Sequence, residues 1–256
     1  MDNLLDLTIV QTKLKWHSPR ENRARLDLEL AALETDLIVL PEMFSTGFTM
    51  EPSQMAESMD GETVLWMKDK ARELDAAICG SVVIEENGKY YNRALFVLPS
   101  GTIYQYDKRH LFTMAGEHLS YEPGSERLVV EYKGWKICPL ICYDLRFPVF
   151  SRNDVAYDLL IYVANWPDPR IGAWDALLKA RAIENMCFTA GVNRIGTDPN
   201  GHRYTGHSQV LDCFGNVVAN CGDRAESQTI RLDRQTLYDA RKKFPFLEDR
   251  DFFKVM

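Results

Sequence analysis

Short apolar runs, mostly β-branched, recur along the chain at Leu7 to Val10, Asp36 to Leu40, Ala77 to Ile84, Ala94 to Leu98, Leu128 to Tyr132, Ile137 to Cys142, Leu159 to Ala164 and Cys187 to Val192. Runs of this length bounded by turn residues read as buried strands. Between several of them lie segments with helical patterning: Glu21 to Leu33, Glu62 to Leu74, and Ala173 to Asn185, whose Trp174, Leu177, Leu178, Arg181 and Ala182 share one face. Strands alternating with helices call for an α/β fold, in which helical layers cover a sheet. Turn signals at Glu86-Asn87-Gly88-Lys89, Pro99-Ser100-Gly101 and Phe214-Gly215-Asn216 join neighbouring strands as hairpins, so the sheet is expected to be mixed.

A chain of 256 residues can bury one large core. It has no Pro-rich or Gly/Ser-rich linker, low-complexity tract or fixed-period repeat, so residues 1–256 are expected to form a single domain. Its last helix is expected near Arg234 to Lys243, followed by an aromatic tail, FPFLEDRDFF, that could dock on its own domain or on a partner subunit. The balance of 30 Lys+Arg against 37 Asp+Glu gives a net charge of −7 with scattered basic residues, so no nucleic-acid partner is expected. Arg241-Lys242-Lys243, the longest basic cluster, reads as the solvated end of a helix. The start, MDNLLDLTIVQTKLKW, lacks a basic n-region, a long apolar core and a cleavage site, and no run approaches membrane-spanning length. A cytoplasmic location with no membrane partner is expected. Six cysteines, at positions 79, 138, 142, 187, 213 and 221, form no CxxC pair and are expected to be reduced and mostly buried.

Three places could carry chemistry. In ICPLICYDLRFP an apolar run stops at Cys142 and turns polar at once, so a strand would deliver the thiol to a turn or helix. A helix N-terminus there would favour the thiolate, although taken alone Cys142 reads as one more buried cysteine. In LIVLPEMF a second strand ends in Pro41-Glu42, where lost hydration would make the carboxylate a better proton acceptor and a general base. Alone, Glu42 reads as a capping or surface residue. In YQYDKRHLF a short aromatic strand delivers Lys108, which in a partly dry site could stabilise a developing oxyanion and otherwise is a solvated loop residue.

Taken together, and in the order Glu, Lys, Cys, these motifs resemble those of the nitrilase superfamily of carbon–nitrogen hydrolases. LIVLPEMF is similar to the glutamate motif, YDKRHLF to the lysine motif and LICYDLRFP to the cysteine motif; NWP at Asn165 to Pro167 and RAIEN at Arg181 to Asn185 fit the downstream pattern. The resemblance spans nearly the whole chain, and STGF, KRHLF and CYDLRFP look closest to the omega-amidase branch. It implies a four-layer α-β-β-α sandwich, covalent catalysis by Glu42, Lys108 and Cys142, a second glutamate at Glu117, and a homodimer or larger homo-oligomer. The chemistry is coherent: a thiol that cleaves an amide needs a base, charge stabilisation for the tetrahedral oxygen and a proton for departing ammonia. Glu42 would move the protons, Lys108 and the backbone N–H of Tyr143 would hold the oxyanion, and Glu117 would orient Lys108.

The resemblance also implies a small-molecule substrate, the terminal amide of a short dicarboxylic monoamide such as 2-oxoglutaramate or succinamate. Its far carboxylate needs a cationic partner in an apolar pocket. Arg146 could supply it, with Phe44, Phe112 and Trp166 as apolar walls; alternatively Arg146 pairs with Asp144 or Asp158. The same catalytic residues serve nitrile and N-carbamoyl hydrolysis, and a non-hydrolytic binding or redox protein with a reactive Cys142 is a further alternative. A papain-like pair would need His17, His110, His118, His202 or His207 beside the thiol. With no HExxH, no cysteine pair at zinc spacing and no GxGxxG or Walker-type loop, no metal or cofactor is expected.

Overall fold

Alternation along the first strands sets the layering. In β1 (Leu4–Gln11), β2 (Leu37–Val39), β3 (Ala77–Glu86) and β4 (Lys89–Val97), Leu5, Leu7, Ile9, Leu37, Val39, Cys79 and Phe96 join one apolar cluster while Val10, Ile38, Ile78 and Leu95 join another. Successive side chains of a strand point to opposite faces, so this sheet is covered on both sides. In the computed structural model, which describes residues 3–31 and 33–253, these strands continue to β5 (Ile103–Asp107) and are joined at the other edge by β14 (Glu226–Asp233), in the order β14-β1-β2-β3-β4-β5.

A second six-stranded sheet runs β13-β12-β9-β8-β7-β6, built from β6 (Val130–Tyr132), β7 (Trp135–Ile141), β8 (Leu159–Ala164), β9 (Phe188–Asn193), β12 (Gln209–Leu211) and β13 (Val217–Asn220). A short ribbon pairs β10 (Ile195–Thr197) with β11 (Arg203–Thr205). Both sheets are mixed, with parallel centres at β1-β2-β3 and β7-β8-β9 and antiparallel flanks.

On the first sheet lie α1 (Pro19–Leu30) and α3 (Glu62–Leu74), whose Leu26, Leu30, Val64, Met67 and Ala71 fill the outer cluster. On the second lie α5 (Ile171–Asn185) and α6 (Arg234–Lys243), which contribute Trp174, Leu178, Ala182 and Leu237. Each fully buried Leu, Val or Met among these contributes about 1.5–3 kcal/mol. A Cβ at Gly191 would stand 2.4 Å from Leu178 and 2.7 Å from Trp174, so a bare backbone at that point of β9 lets α5 seat. Two single-turn helices, α2 (Pro52–Met55) and α4 (Glu117–Ser120), sit in loops. The layers are helix, sheet, sheet, helix, as the family resemblance implied.

The β3–β4 hairpin turns on Asn87 and Gly88, both at positive φ (55° and 74°), which matches its sequence signal. β14 has no counterpart among the apolar runs, because it is an edge strand whose Leu232 is its only buried residue. Arg241 departs from the solvated reading: its guanidinium donates to the carbonyls of Met186 (2.7 Å) and Tyr157 (2.6 Å) and pairs with buried Asp158, leaving Lys242 and Lys243 exposed. The aromatic tail divides. Phe244 packs against Phe214 and the core, whereas Phe246, Phe252 and Phe253 are exposed. All six cysteines are unpaired, and among the described residues no helix is long and apolar enough to cross a membrane.

Candidate active site

Strand ends from both sheets come together at one place, where Cys142 and Asn165 line a cavity and Glu42 and Lys108 lie enclosed behind it. Glu42 follows β2, Lys108 directly follows β5, Cys142 directly follows β7 and Asn165 directly follows β8. Carboxyl ends of strands are the habitual ligand side of α/β sheets. Glu42, Lys108 and Glu117 have fully buried side chains. Lys108 Nζ donates to Glu42 Oε1 at 2.8 Å and to Glu117 Oε1 and Oε2 at 3.0 and 2.9 Å. Asn92 Nδ2 bridges the same two carboxylates at 2.8 and 3.1 Å. The remaining Glu42 oxygen accepts the Asn165 N–H at 2.9 Å, and Glu117 Oε2 also accepts the Phe112 N–H at 2.5 Å.

Buried charge is tolerated only when paired and hydrogen-bonded, and each carboxylate oxygen here has a donor. Burial by itself would discharge Lys108, but Glu117 and Glu42 outweigh it and hold the ammonium above its ordinary range. The cluster has one more carboxylate than ammonium. Burial, reinforced by Glu42, therefore raises the Glu117 carboxyl against the pull of Lys108.

Cys142 sits at φ +44°, in the left-handed region, at the start of a five-residue 3-10 turn, Cys142–Arg146. Burial and then the negative charge of Glu42 push its thiol well above the ordinary value, while Lys108 and the Asn165 N–H pull the other way. The resting sulfur is thus a thiol. This corrects the expectation that a following helix would favour the thiolate: one short turn lacks the aligned peptides of a full helix dipole, and burial beside a carboxylate prevails.

Cys142, Tyr143 and Asn165 line a cavity of about 460 Å³. Phe112 and Trp166 form walls, as anticipated, but Phe44 does not. It is wholly enclosed in the helix–sheet cluster, 5.8 Å from the Trp66 ring and against Gly80. Phe48, four residues further along the same loop, lines the cavity with its ring 5.2 Å from Lys108 Nζ. Arg146 also lines it, its guanidinium 5.0 Å from the Trp166 ring and, among the described residues, with no carboxylate partner. The pairing with Asp144 or Asp158 is not made, because Asp144 is held by Ile141, Tyr106 and His110, and Asp158 by Lys136 and Arg241.

Residues that sequence reasoning missed complete the surroundings. Arg170 lines the cavity with its guanidinium 5.3 Å from the Phe112 ring, and Asp198, which accepts the Tyr204 hydroxyl at 3.0 Å, and Glu51 line it too. Asn92 could have been suspected as a polar residue inside the otherwise strand-like YYNRALFV. None of the histidines hydrogen-bonds Cys142 among the described residues. His17 meets Thr49, His110 meets Asp144, His207 meets Asp175, and His118 and His202 are exposed.

Comparison with known proteins agrees with this geometry. The profile of the carbon-nitrogen hydrolase family matches residues 8–242. The chain is 46% identical over 253 residues to omega-amidase YafV of Escherichia coli (strain K12), covering 98% of each protein. It is 34% identical over 250 residues to the 2-oxoglutaramate amidase of Bacillus subtilis (strain 168), covering 95% of this chain and 96% of that one. XC1258 from Xanthomonas campestris, a CN-hydrolase superfamily protein crystallised with an arsenic adduct in its active site, superposes with a TM-score of 0.98 at 44% identity over 100% of both chains. With a buried carboxylate–ammonium–carboxylate cluster beside a cysteine at the strand ends of an α-β-β-α sandwich, the chain belongs to the carbon-nitrogen hydrolase family and is an amide hydrolase.

Proposed function

We propose that the enzyme cleaves the terminal amide of short dicarboxylic monoamides, such as 2-oxoglutaramate and succinamate, through a thioester on Cys142. The observation that carries this reading is the Arg146 guanidinium, which has no carboxylate partner among the described residues and lies in the same cavity as Cys142, beside the Glu42–Lys108–Glu117 cluster. The omega-amidase and 2-oxoglutaramate amidase relatives support the substrate class.

Glu42 takes the Cys142 proton as sulfur attacks the amide carbon, and the carbonyl electron pair moves onto oxygen. The raised thiol makes this base necessary. The oxyanion lies against the Lys108 ammonium and the backbone N–H of Tyr143, one of the N–H groups at the start of the turn that lack a partner within it. Collapse of the adduct breaks the carbon–nitrogen bond, and Glu42 returns its proton to the leaving nitrogen, so ammonia departs. Water then attacks the thioester with Glu42 as base, the carbon–sulfur bond breaks, the sulfur regains a proton and the dicarboxylate leaves. Glu117 holds Lys108 in place throughout. We also infer that the enzyme works as a homodimer or larger homo-oligomer; sedimentation near the monomer's 29.4 kDa would count against this.

An ammonia-release screen over dicarboxylic monoamides, neutral amides, N-carbamoyl compounds and nitriles tests the substrate class. Loss of a charge-assisted contact of about 1.5–3 kcal/mol predicts that Arg146→Met raises KM for 2-oxoglutaramate by roughly 10–100-fold. For a neutral amide of similar length KM should barely change. Equal losses on both substrates would return Arg146 to a structural role, and preference of the wild type for nitriles or N-carbamoyl compounds would overturn the substrate reading.

A further inference from the structure

Asp144 lies two residues beyond Cys142, is fully buried, and gathers four hydrogen bonds. Its Oδ2 accepts the Ile141 N–H at 2.9 Å and the Tyr106 hydroxyl at 2.8 Å. Its Oδ1 accepts the His110 N–H at 3.1 Å and lies 2.8 Å from His110 Nδ1. Tyr106 in turn accepts the Arg109 N–H at 3.0 Å. One carboxylate therefore ties the turn that carries Cys142 to both flanks of Lys108, at Tyr106 two residues before it and His110 two residues after.

The hydrogen positions follow from the chemistry. A carboxylate oxygen accepts, so the hydrogen of the bond between His110 and Asp144 sits on His110 Nδ1. The imidazole is locked further by stacking on Phe147, with ring centres 3.8 Å apart and planes 4° from parallel. Burial, and then the charge of Asp144, keep the Tyr106 phenol protonated and hence a donor. None of Asp144, Tyr106 and His110 lines the cavity, so none is placed to touch substrate.

Such a tie answers a need of the nucleophile. A non-glycine residue in the left-handed region carries a penalty of about 1 kcal/mol or more and persists only where its surroundings over-determine it. Cys142 is in that conformation, and the far end of its turn is held separately by Arg181, which donates to the Leu145 carbonyl at 2.6 Å. We propose that His110 and Asp144 are a positioning pair that fixes the Cys142 turn against the Lys108 segment, and with it the spacing of sulfur and ammonium. This rests on Cys142 being the nucleophile, but not on the identity of the amide.

The test compares His110→Ala, His110→Asn and Tyr106→Phe in three measurements: kcat and KM on the best amide from the screen, the rate of Cys142 alkylation by iodoacetamide, and thermal stability. Because misplacement of a reacting group by about 1 Å can cost roughly 100-fold, His110→Ala should lower kcat by about 10–100-fold with KM within about 3-fold, and should slow alkylation. His110→Asn, whose side-chain amide can donate from near the position of Nδ1, should keep kcat within about 3-fold of the wild type. Tyr106→Phe should independently reproduce the selective loss of kcat in a folded protein. If His110→Ala does not fold, the contrast between His110→Asn and Tyr106→Phe carries the test. Unchanged kcat and alkylation in His110→Ala or in Tyr106→Phe, or equal losses in His110→Ala and His110→Asn, would overturn the proposal. Alkylation needs no substrate, so failure of the dicarboxylate reading would leave this test standing.

Discussion

Replacing Lys108 with Met removes the ammonium that lies between two buried carboxylates. Its Nζ is 2.8 Å from Glu42 and 2.9 Å from Glu117, so the facing carboxylate oxygens are within about 6 Å of each other. At an effective dielectric near 20, two negative charges at that separation repel by about 3 kcal/mol. Removing one member of a buried ion pair typically destabilises by about 3–5 kcal/mol, and the Asn92 amide, which still bridges both groups, should keep the loss toward the lower figure. Urea unfolding at pH 8 should therefore show a deficit of about 3 kcal/mol against the wild type. The deficit should depend on pH in a definite direction. Without the cation, the buried pair holds a proton more tightly in the folded state than in the unfolded chain. A group with a raised folded-state value stabilises at low pH and loses that contribution as pH rises through it. The deficit should shrink on going from pH 8 to pH 5, while kcat stays about 100–1000-fold down at both, since acid does not restore the oxyanion partner. A deficit that is equal at the two pH values, or a variant as stable as the wild type at pH 8, would refute the picture of a charge-coupled buried cluster.

Glu42→Gln should lower kcat by at least about 100-fold and stability by about 1–3 kcal/mol. Whichever way the amide turns, its NH₂ faces a donor: Lys108 and Asn92 on one side, the Asn165 N–H on the other. Gly191→Ala should cost about 1–3 kcal/mol in urea unfolding, because the new methyl meets Leu178 and Trp174 well inside contact distance.

The positions of Glu42, Lys108 and Cys142 were legible in the sequence because each stands where a strand-like run gives way to polar residues. Parallel strands then bring such ends to one side of the molecule. Other features depend on distance through space. Asn92 lies between two carboxylates far from it in sequence, 50 and 25 residues away, and its own strand does not announce them. Phe44 and Phe48 share a loop and a residue type, and the path of the chain after Glu42, with Met43 at φ +44°, decides which one faces the cavity. The raised thiol of Cys142 follows from burial and then from the nearness of Glu42, not from the turn that follows the sulfur. β14 escapes a hydrophobicity pattern because it is an edge strand that pairs along β1 from Leu4 to Gln11 through its backbone and buries little else.

The account turns on a covalent bond to one sulfur, and acid quenching during turnover of 2-oxoglutaramate, followed by intact-mass analysis and peptide mapping, tests it most directly. The acyl adduct should appear on the peptide that contains Cys142. It should be absent from Cys142→Ala, which should fold as the wild type does and release no ammonia. Cys138, four residues earlier, is wholly enclosed, its thiol pushed up to about 12 by burial, and should stay unmodified. An adduct mapped to Cys138, or full turnover by Cys142→Ala, would contradict the assignment.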